Sequence, residues 1–287
     1  MKNKNQKRNL TDNKSRNLNQ HHSSRPQKSF QKDFTNKVSE HEIWLCGKHP
    51  TFTVLQKKRR KIFEILVTKN TISELETFLQ TNSLTFLKPL VKLVENDLIE
   101  MLVGKNNIHQ GFAVHCSRLP TKNQNELLEE LSKIEEGAPL PTLLLLDQIS
   151  DPHNIGAIIR SATSFGVNKI IFCEHNSPKE SATIVKSSAG TIEFADLFVV
   201  VNFNNLIEKL KKIGYWCVGL AGEGKTSIQA LKEYKNIALI VGSEGDGIRD
   251  LVKKNCDLLA KIEIDKEVES LNASVAAAIA LYELTRK

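Results

Sequence analysis

No two cysteines in this chain are spaced as a metal or redox site requires. Cys46, Cys116, Cys173, Cys217 and Cys256 stand far apart with no CxxC among them, which excludes the common zinc and thioredoxin-like patterns. No metal is therefore expected. Their odd number, the apolar segments around most of them and the absence of a signal-peptide core point to free buried thiols in a reducing, cytoplasmic setting. No apolar run approaches the roughly 18 residues of a membrane helix, so no membrane partner is expected. Residues 1–40 nearly lack aliphatic side chains and are rich in Asn, Gln, Lys and Ser. Such a segment cannot bury enough surface to offset its ordering entropy, which predicts a disordered tail. Acidic residues are scarce there too. Ten Lys or Arg face three Asp or Glu, a balance of +7 that equals the formal charge of the whole chain, so the remainder is neutral. The tail reads equally well as a phosphate-contacting arm or as a passive leader.

What is present is an ordinary soluble composition, 40% hydrophobic and 25% charged over 287 residues, enough for one or two domains. Residues 41–118 read as a small α/β unit. Trp44–Pro50 opens it, Ile62–Thr68 and Phe112–Cys116 read as strands, and Ile72–Thr81 and Lys88–Leu93 follow helical spacing. An acidic, helical stretch and then Gly137-Ala138-Pro139-Leu140-Pro141 make 119–141 a linker. From residue 142 to 287 the chain alternates strands and helices. Continuous apolar runs at 142–147, 169–173, 197–201, 216–220, 237–242 and 258–264 are those of parallel strands covered on both faces. Helices are expected at Ile155–Phe165, Lys179–Ser188, Leu206–Ile213, Ile248–Lys254 and Asn272–Thr285. This is the pattern of a doubly wound, parallel-sheet α/β domain.

Three polar stretches fall where apolar strands stop, and ligands of such folds bind outside the carboxyl ends of strands. The first runs from Asp151 to Arg160, with Asp151 and Pro152 suited to start a helix. It carries Asn154 and, six residues on, Arg160. Taken singly, Asn154 is a local cap and Arg160 a surface charge. The second, Gly242-Ser243-Glu244-Gly245-Asp246-Gly247, has three glycines in six residues and a carboxylate at the strand tip, which permits a close approach of backbone to ligand. The third runs from Ser270 to Ala280, with Ser270 as the expected N-cap, Asn272 and Ser274 beside the first turn, and alanines that make a slim helix.

A competing signal is Gly219–Thr226, which satisfies GxxxxGK[ST]. A nucleoside triphosphatase needs a later strand ending in an aspartate to hold magnesium. The next strand ends in Gly242-Ser243, and only 61 residues follow Thr226. The segment reads as a glycine-rich turn with a solvated Lys225.

The three stretches, in this order, resemble the signature motifs of the SpoU–TrmH branch of the SPOUT RNA methyltransferases. The resemblance covers residues 142–287. Residues 41–118 are similar to the small ribosomal-protein-like substrate domain that precedes it in the group acting on 23S rRNA guanosines, chiefly at Trp44–Pro50 and His109–Ala113. The resemblance implies a C-terminal trefoil knot, a homodimer, S-adenosyl-L-methionine as cofactor and RNA as substrate. It implies Asn154, Arg160, Glu244, Ser270 and Asn272 as the catalytic set, and Gly242, Ile262 and Leu271 as cofactor contacts. One stretch departs from the family pattern. An Ile-Pro-Met-x-Gly segment is replaced by Ile262-Glu263-Ile264-Asp265-Lys266, which opens the question of the shape of the cofactor loop.

The implied reaction moves a methyl group onto a ribose 2'-hydroxyl, with rRNA the expected substrate and tRNA the alternative. In the family account the arginine is the base, but a free guanidinium does not deprotonate at neutral pH. Stabilisation of the developing alkoxide suits Arg160 better. A rival reading is a non-catalytic RNA-binding or ribosome-assembly protein with a decayed cofactor site.

Overall fold

The computed structural model describes residues 39–105, 107–175 and 178–286. The disordered tail expected over 1–40 lies almost wholly outside the described residues.

The first sheet has four strands: β1 (Glu42–Cys46), β2 (Ile62–Val67), β3 (Val91–Leu93) and β4 (Phe112–Ser117), in the order β1-β4-β2-β3. β4 runs antiparallel to β1 and β2, and β3 parallel to β2. Alternate residues point one way along each strand. Ile43, Leu45, Ile65, Val67, Phe112 and Val114 share a buried cluster with Val54 and Leu55 of α1 (Lys48–Lys57) and Leu75 and Leu79 of α2 (Ile72–Thr81). A third helix, α3 (Asn96–Val103), precedes β4. The helical reading of Lys88–Leu93 is corrected. Thr85–Leu90 is a 3-10 turn containing Pro89, and Val91–Leu93 is β3. Proline lacks the amide that a longer helix would need, and the three residues after the turn pair with β2 instead.

The second sheet has eight strands: β5 (Thr121–Asn123), β6 (Leu143–Asp147), β7 (Lys169–Cys173), β8 (Asp196–Val200), β9 (Trp216–Leu220), β10 (Thr226–Ser227), β11 (Ile237–Gly242) and β12 (Leu258–Lys261). Their order is β10-β12-β9-β11-β6-β7-β8-β5, and every pair is parallel. The central strands β6 and β11 are buried along their whole length. Successive residues divide between two cores. Leu144, Leu146, Leu239 and Val241 pack with Ile155 and Ile159 of α5 (Pro152–Ser164) and Ala277 of α9 (Ala273–Thr285). Leu143, Leu145, Ala238 and Ile240 pack with Leu127 of α4 (Gln124–Ser132), Leu206 of α7 (Phe203–Lys212) and Val252 of α8 (Asp250–Asn255). Another helix, α6 (Ala182–Ser187), packs against α5. A sheet with both faces covered is what the continuous apolar runs require.

Three residues of the segment expected as a linker, 119–141, join this sheet. β5 pairs with β8, and Asn123 opens α4 with a capping box that includes Glu126. A three-residue polar strand leaves no apolar run in the sequence. The chain winds from β6 outward through β7 and β8, then returns to the other side for β9. The crevice between the tips of β6 and β11 is therefore a topological switch point, where ligands of such sheets bind.

Candidate active site

All three motifs meet at this switch point. Asp151 caps α5 by accepting a hydrogen bond from the His153 amide at 2.9 Å, with Pro152 in the first turn. That sets Asn154 just beyond the tip of β6. The β11 strand ends at Gly242 and enters a tight turn in which Ser243 and Gly247 exchange both backbone hydrogen bonds. Gly245 and Gly247 have positive φ, of 91° and 68°, a region where a side chain is strained. A Cβ at Gly242 would lie 2.1 Å from the carbonyl carbon of Gly247, so only glycine lets the turn fold back on its strand. The turn lifts Glu244 toward α5.

Asn272, not Ser270, is the N-cap of α9. Its Oδ1 accepts from the Ser274 amide at 2.9 Å and from the Ser274 hydroxyl at 2.6 Å. Its Nδ2 donates to Asn154 Oδ1 at 3.0 Å and to Glu244 Oε2 at 2.9 Å. Asn154 Nδ2 donates to the same carboxylate oxygen at 3.4 Å. Residues 154, 244 and 272 thus form one closed hydrogen-bonded cluster. Ser270 is exposed, two residues before the cap.

Arg160 does not join the cluster. Six residues at about 100° each turn it to a different side of α5 from Asn154. It is exposed, and its guanidinium has no hydrogen bond or ion pair among the described residues.

Beside the cluster lies a cleft of about 460 Å³, within the range of small-molecule sites. Gly242, Glu244, Ile262, Ser270 and Leu271 all line it, so the three expected cofactor contacts share one cavity with two of the expected catalytic residues. The altered loop keeps Ile262 and Ile264 on the cleft wall and leaves Glu263 exposed. Its added charge faces solvent. A second cavity, of about 430 Å³, lies beneath Arg118 and Glu180 and contains none of the motif residues but Ile155 and Ile159.

The glycine-rich Gly219–Thr226 segment is not a phosphate cradle. Thr226 begins β10, and the residues after it form a 3-10 turn, Ile228–Glu233, rather than an α-helix. A Cβ at Gly224 would meet the Leu259 carbonyl oxygen at 2.7 Å, so this glycine serves close packing on β12. Ala221, Gly222 and Glu223 wall the same cleft from the far side, a role with no mark in the local sequence.

Equally hidden from sequence reasoning is the pair beneath the turn. Asp147, at the tip of β6, is fully buried. Its Oδ1 accepts from Arg249 Nε at 2.9 Å and its Oδ2 from the Arg249 amide at 3.0 Å. The pair ties the exit of the glycine turn to β6. An aspartate closing an apolar strand was the available signal, without its partner.

A model of the SpoU rRNA Methylase family matches residues 141–282. The chain is 39% identical over 197 residues to the 23S rRNA (guanosine-2'-O-)-methyltransferase RlmB of Coxiella burnetii, covering 69% of this chain and 78% of that protein. It is 32% identical over 254 residues to the RlmB of Xanthomonas campestris, covering 87% and 98%. The fold superposes on the SpoU methyltransferase AviRb of Streptomyces viridochromogenes, solved with its cofactor AdoMet, with a TM-score of 0.70 at 19% identity, covering 91% and 98%. With its three motifs gathered at one switch point, and with relatives aligned along both sheets, the chain belongs to the SpoU rRNA methylase family.

Proposed function

We propose that this protein transfers a methyl group from S-adenosyl-L-methionine to the ribose 2'-hydroxyl of a guanosine in 23S rRNA. The observation that carries the reading is the Asn154–Glu244–Asn272 cluster at the mouth of the cleft. Relatives named for that reaction align over most of the chain, which favours rRNA over tRNA. The reading goes with a cytoplasmic protein that acts on 23S rRNA.

The cleft suits the cofactor. Leu220, Ile262 and Leu271 give it apolar walls for a ring, and the turn after Gly242 brings bare backbone to its edge. Those residues would hold the cofactor, which when bound supplies an electrophilic methyl group. The protein then has to present a ribose hydroxyl in line with it and receive charge as the proton leaves, so positioning does much of the work. Glu244 Oε2 is fixed by two amides, while Oε1 accepts no hydrogen bond among the described residues. That oxygen is free to accept a hydrogen bond from the ribose hydroxyl and to take its proton as the methyl group is received. Arg160 supplies a guanidinium that stabilises the developing alkoxide and the adjoining phosphate. Ser270, on the cleft wall, binds the substrate edge.

The reading includes a homodimer and a knotted C-terminus. Val275, Ile279 and Tyr282 form an exposed apolar stripe along α9 at helical spacing. A second copy seated there would cover the stripe and could bring Arg160 of one protomer to the cluster of the other. The test uses purified protein, labelled S-adenosyl-L-methionine and a 23S rRNA transcript, with mapping of the methylated ribose. Label at a 2'-O-methylguanosine is expected. A folded protein that leaves 23S rRNA unlabelled, or labels only tRNA, overturns the reading.

A further inference from the structure

Residues 57–61 read Lys-Lys-Arg-Arg-Lys, an unbroken basic run from the last residue of α1 to the start of β2. The fold splits it in two. Lys58, the C-cap of α1, has a left-handed φ of 54°, which sharply redirects the chain. The arginines then point inward. The Arg60 side chain is fully buried, donates from Nε to Glu193 Oε1 at 2.7 Å and pairs with Glu180. Arg59 donates to the carbonyls of Glu193 and Ala195, at 3.0 and 2.6 Å. Both bind the small sheet to the large one.

The lysines point outward, and each lies over an aromatic ring. Lys57 Nζ is 3.7 Å from the ring centre of Phe194, Lys58 Nζ 5.7 Å from Phe86, and Lys61 Nζ 5.2 Å from Phe63. All are within cation–π range. Phe86 is 63% exposed and Phe194 46% exposed, high values for rings that ordinarily seek the core. The ledge continues from Phe63 to His115, which stacks on Trp44 at 4.8 Å. Among the described residues, none of the three lysines has a carboxylate partner. The acids beside two of the rings are already engaged, Glu193 with Arg60 and Glu64 with Lys92, and Asp196 is engaged with Arg59.

Unpaired ammonium groups beside two exposed rings, Phe86 and Phe194, and the half-buried Phe63 are what a single-stranded nucleic acid requires: cations for phosphates and flat faces for bases. We propose that the Lys57–Phe194, Lys58–Phe86 and Lys61–Phe63 ridge, which straddles the seam between the two sheets, is a contact site for an unpaired stretch of the substrate RNA. The ridge is separate from the cleft. Phe194 precedes β8, whereas the cleft lies past the carboxyl ends of β6 and β11. It therefore anchors RNA away from the methylated nucleotide. The proposal rests on the reading that RNA is the substrate.

The test is a salt titration of rRNA-fragment affinity for the full-length protein, a Lys57→Gln/Lys58→Gln/Lys61→Gln variant and a Phe86→Ala variant. Each lysine withdrawn from a phosphate should flatten the log-affinity against log-salt plot by roughly 0.7 to 0.9, so about 2 or more for the triple variant. Phe86→Ala should weaken binding on the order of tenfold and leave the slope unchanged. The arginines are untouched, so melting temperatures should match the wild type. A triple variant with the wild-type slope and affinity overturns the ridge. Methyl transfer to 23S rRNA is read on the same preparations. Salt-dependent binding that the triple variant loses, with no transfer by the wild type, would sustain the ridge and overturn the enzyme reading instead.

Discussion

An asparagine amide offers two N–H donors and an oxygen with two lone pairs, and Asn272 uses all of them. Its donors hold Asn154 and Glu244, and its oxygen caps α9 through Ser274. The same residue thus starts a helix and fixes a carboxylate. Asn272→Asp separates the two tasks. Aspartate caps a helix as well as asparagine does, but it puts a second carboxylate 2.9 Å from Glu244 in place of a donor. Like charges at that distance oppose ionisation of one another. The expected result is a melting temperature near wild type with methyl transfer reduced about 100- to 1000-fold, the usual loss when a polar preorganising group is removed. A rate within a few-fold of wild type would show that the cluster is structural. Arg160→Ala tests the other half of the site. Its guanidinium supports nothing among the described residues, so stability should be unchanged while transfer falls by a similar factor. A stability loss without a rate loss would remove Arg160 from the mechanism.

Helix α5 carries the first motif, and its position depends on one small residue. A Cβ at Gly156 would lie 2.5 Å from Ser187 Cβ and 2.8 Å from the Ile184 carbonyl oxygen. Those are the close contacts of α5 with α6. Gly156→Ala must push the helices apart, and overpacking of this kind costs about 1–3 kcal/mol. Chemical denaturation should show that loss, and because Asn154 lies half a turn away, cofactor affinity should fall with it. An unchanged unfolding midpoint would mean that α6 yields freely. The small residues of this helix were visible in the sequence, but their neighbour was not. The same division runs through the fold. β6, β7, β9 and β11 were legible because each is a continuous apolar run with both faces covered. β5 and β10 were not, since Thr121–Asn123 and Thr226–Ser227 are short and polar. α1 went unread because Lys48–Lys57 buries Pro50 and Thr51 beside Val54 and Leu55, which breaks the apolar period. Ser270 had the composition of an N-cap, yet α9 begins three residues later. The cluster of residues 154, 244 and 272 spans 118 positions. No local spacing joins them, and only the order of the strands does.

At the scale of the molecule, burial sets both the alkaline limit and the union of the two sheets. The thiols of Cys116, Cys217 and Cys256 are pushed up to about 12, chiefly by burial. Their values in the fold exceed that of an unfolded thiol, so the stability they contribute is whole below about 9 and is lost as the pH climbs toward 12. A melting temperature that holds to about pH 9 and then falls is expected, with native thiols unreactive to alkylation at neutral pH. A flat profile to pH 11 would contradict it. Arg60 helps to join the sheets: its side chain is wholly buried between Glu180 and Glu193 while its Nη1 donates to the Ser117 carbonyl at 3.0 Å. Arg60→Ala would strand two carboxylates that the fold has already desolvated. Breaking a buried pair from one side costs about 3–5 kcal/mol, more than the pair itself contributes. Arg60→Lys keeps the charge but loses the planar fork that meets both carboxylates, so its loss should be smaller. Denaturant titration of the two variants orders them as wild type, Lys, Ala. Because the arginine bridges separate sheets, the Ala variant should also lose the single sharp transition, the small sheet unfolding first. An Ala variant that unfolds in one step at the wild-type midpoint would mean that the sheets are held by apolar contact alone.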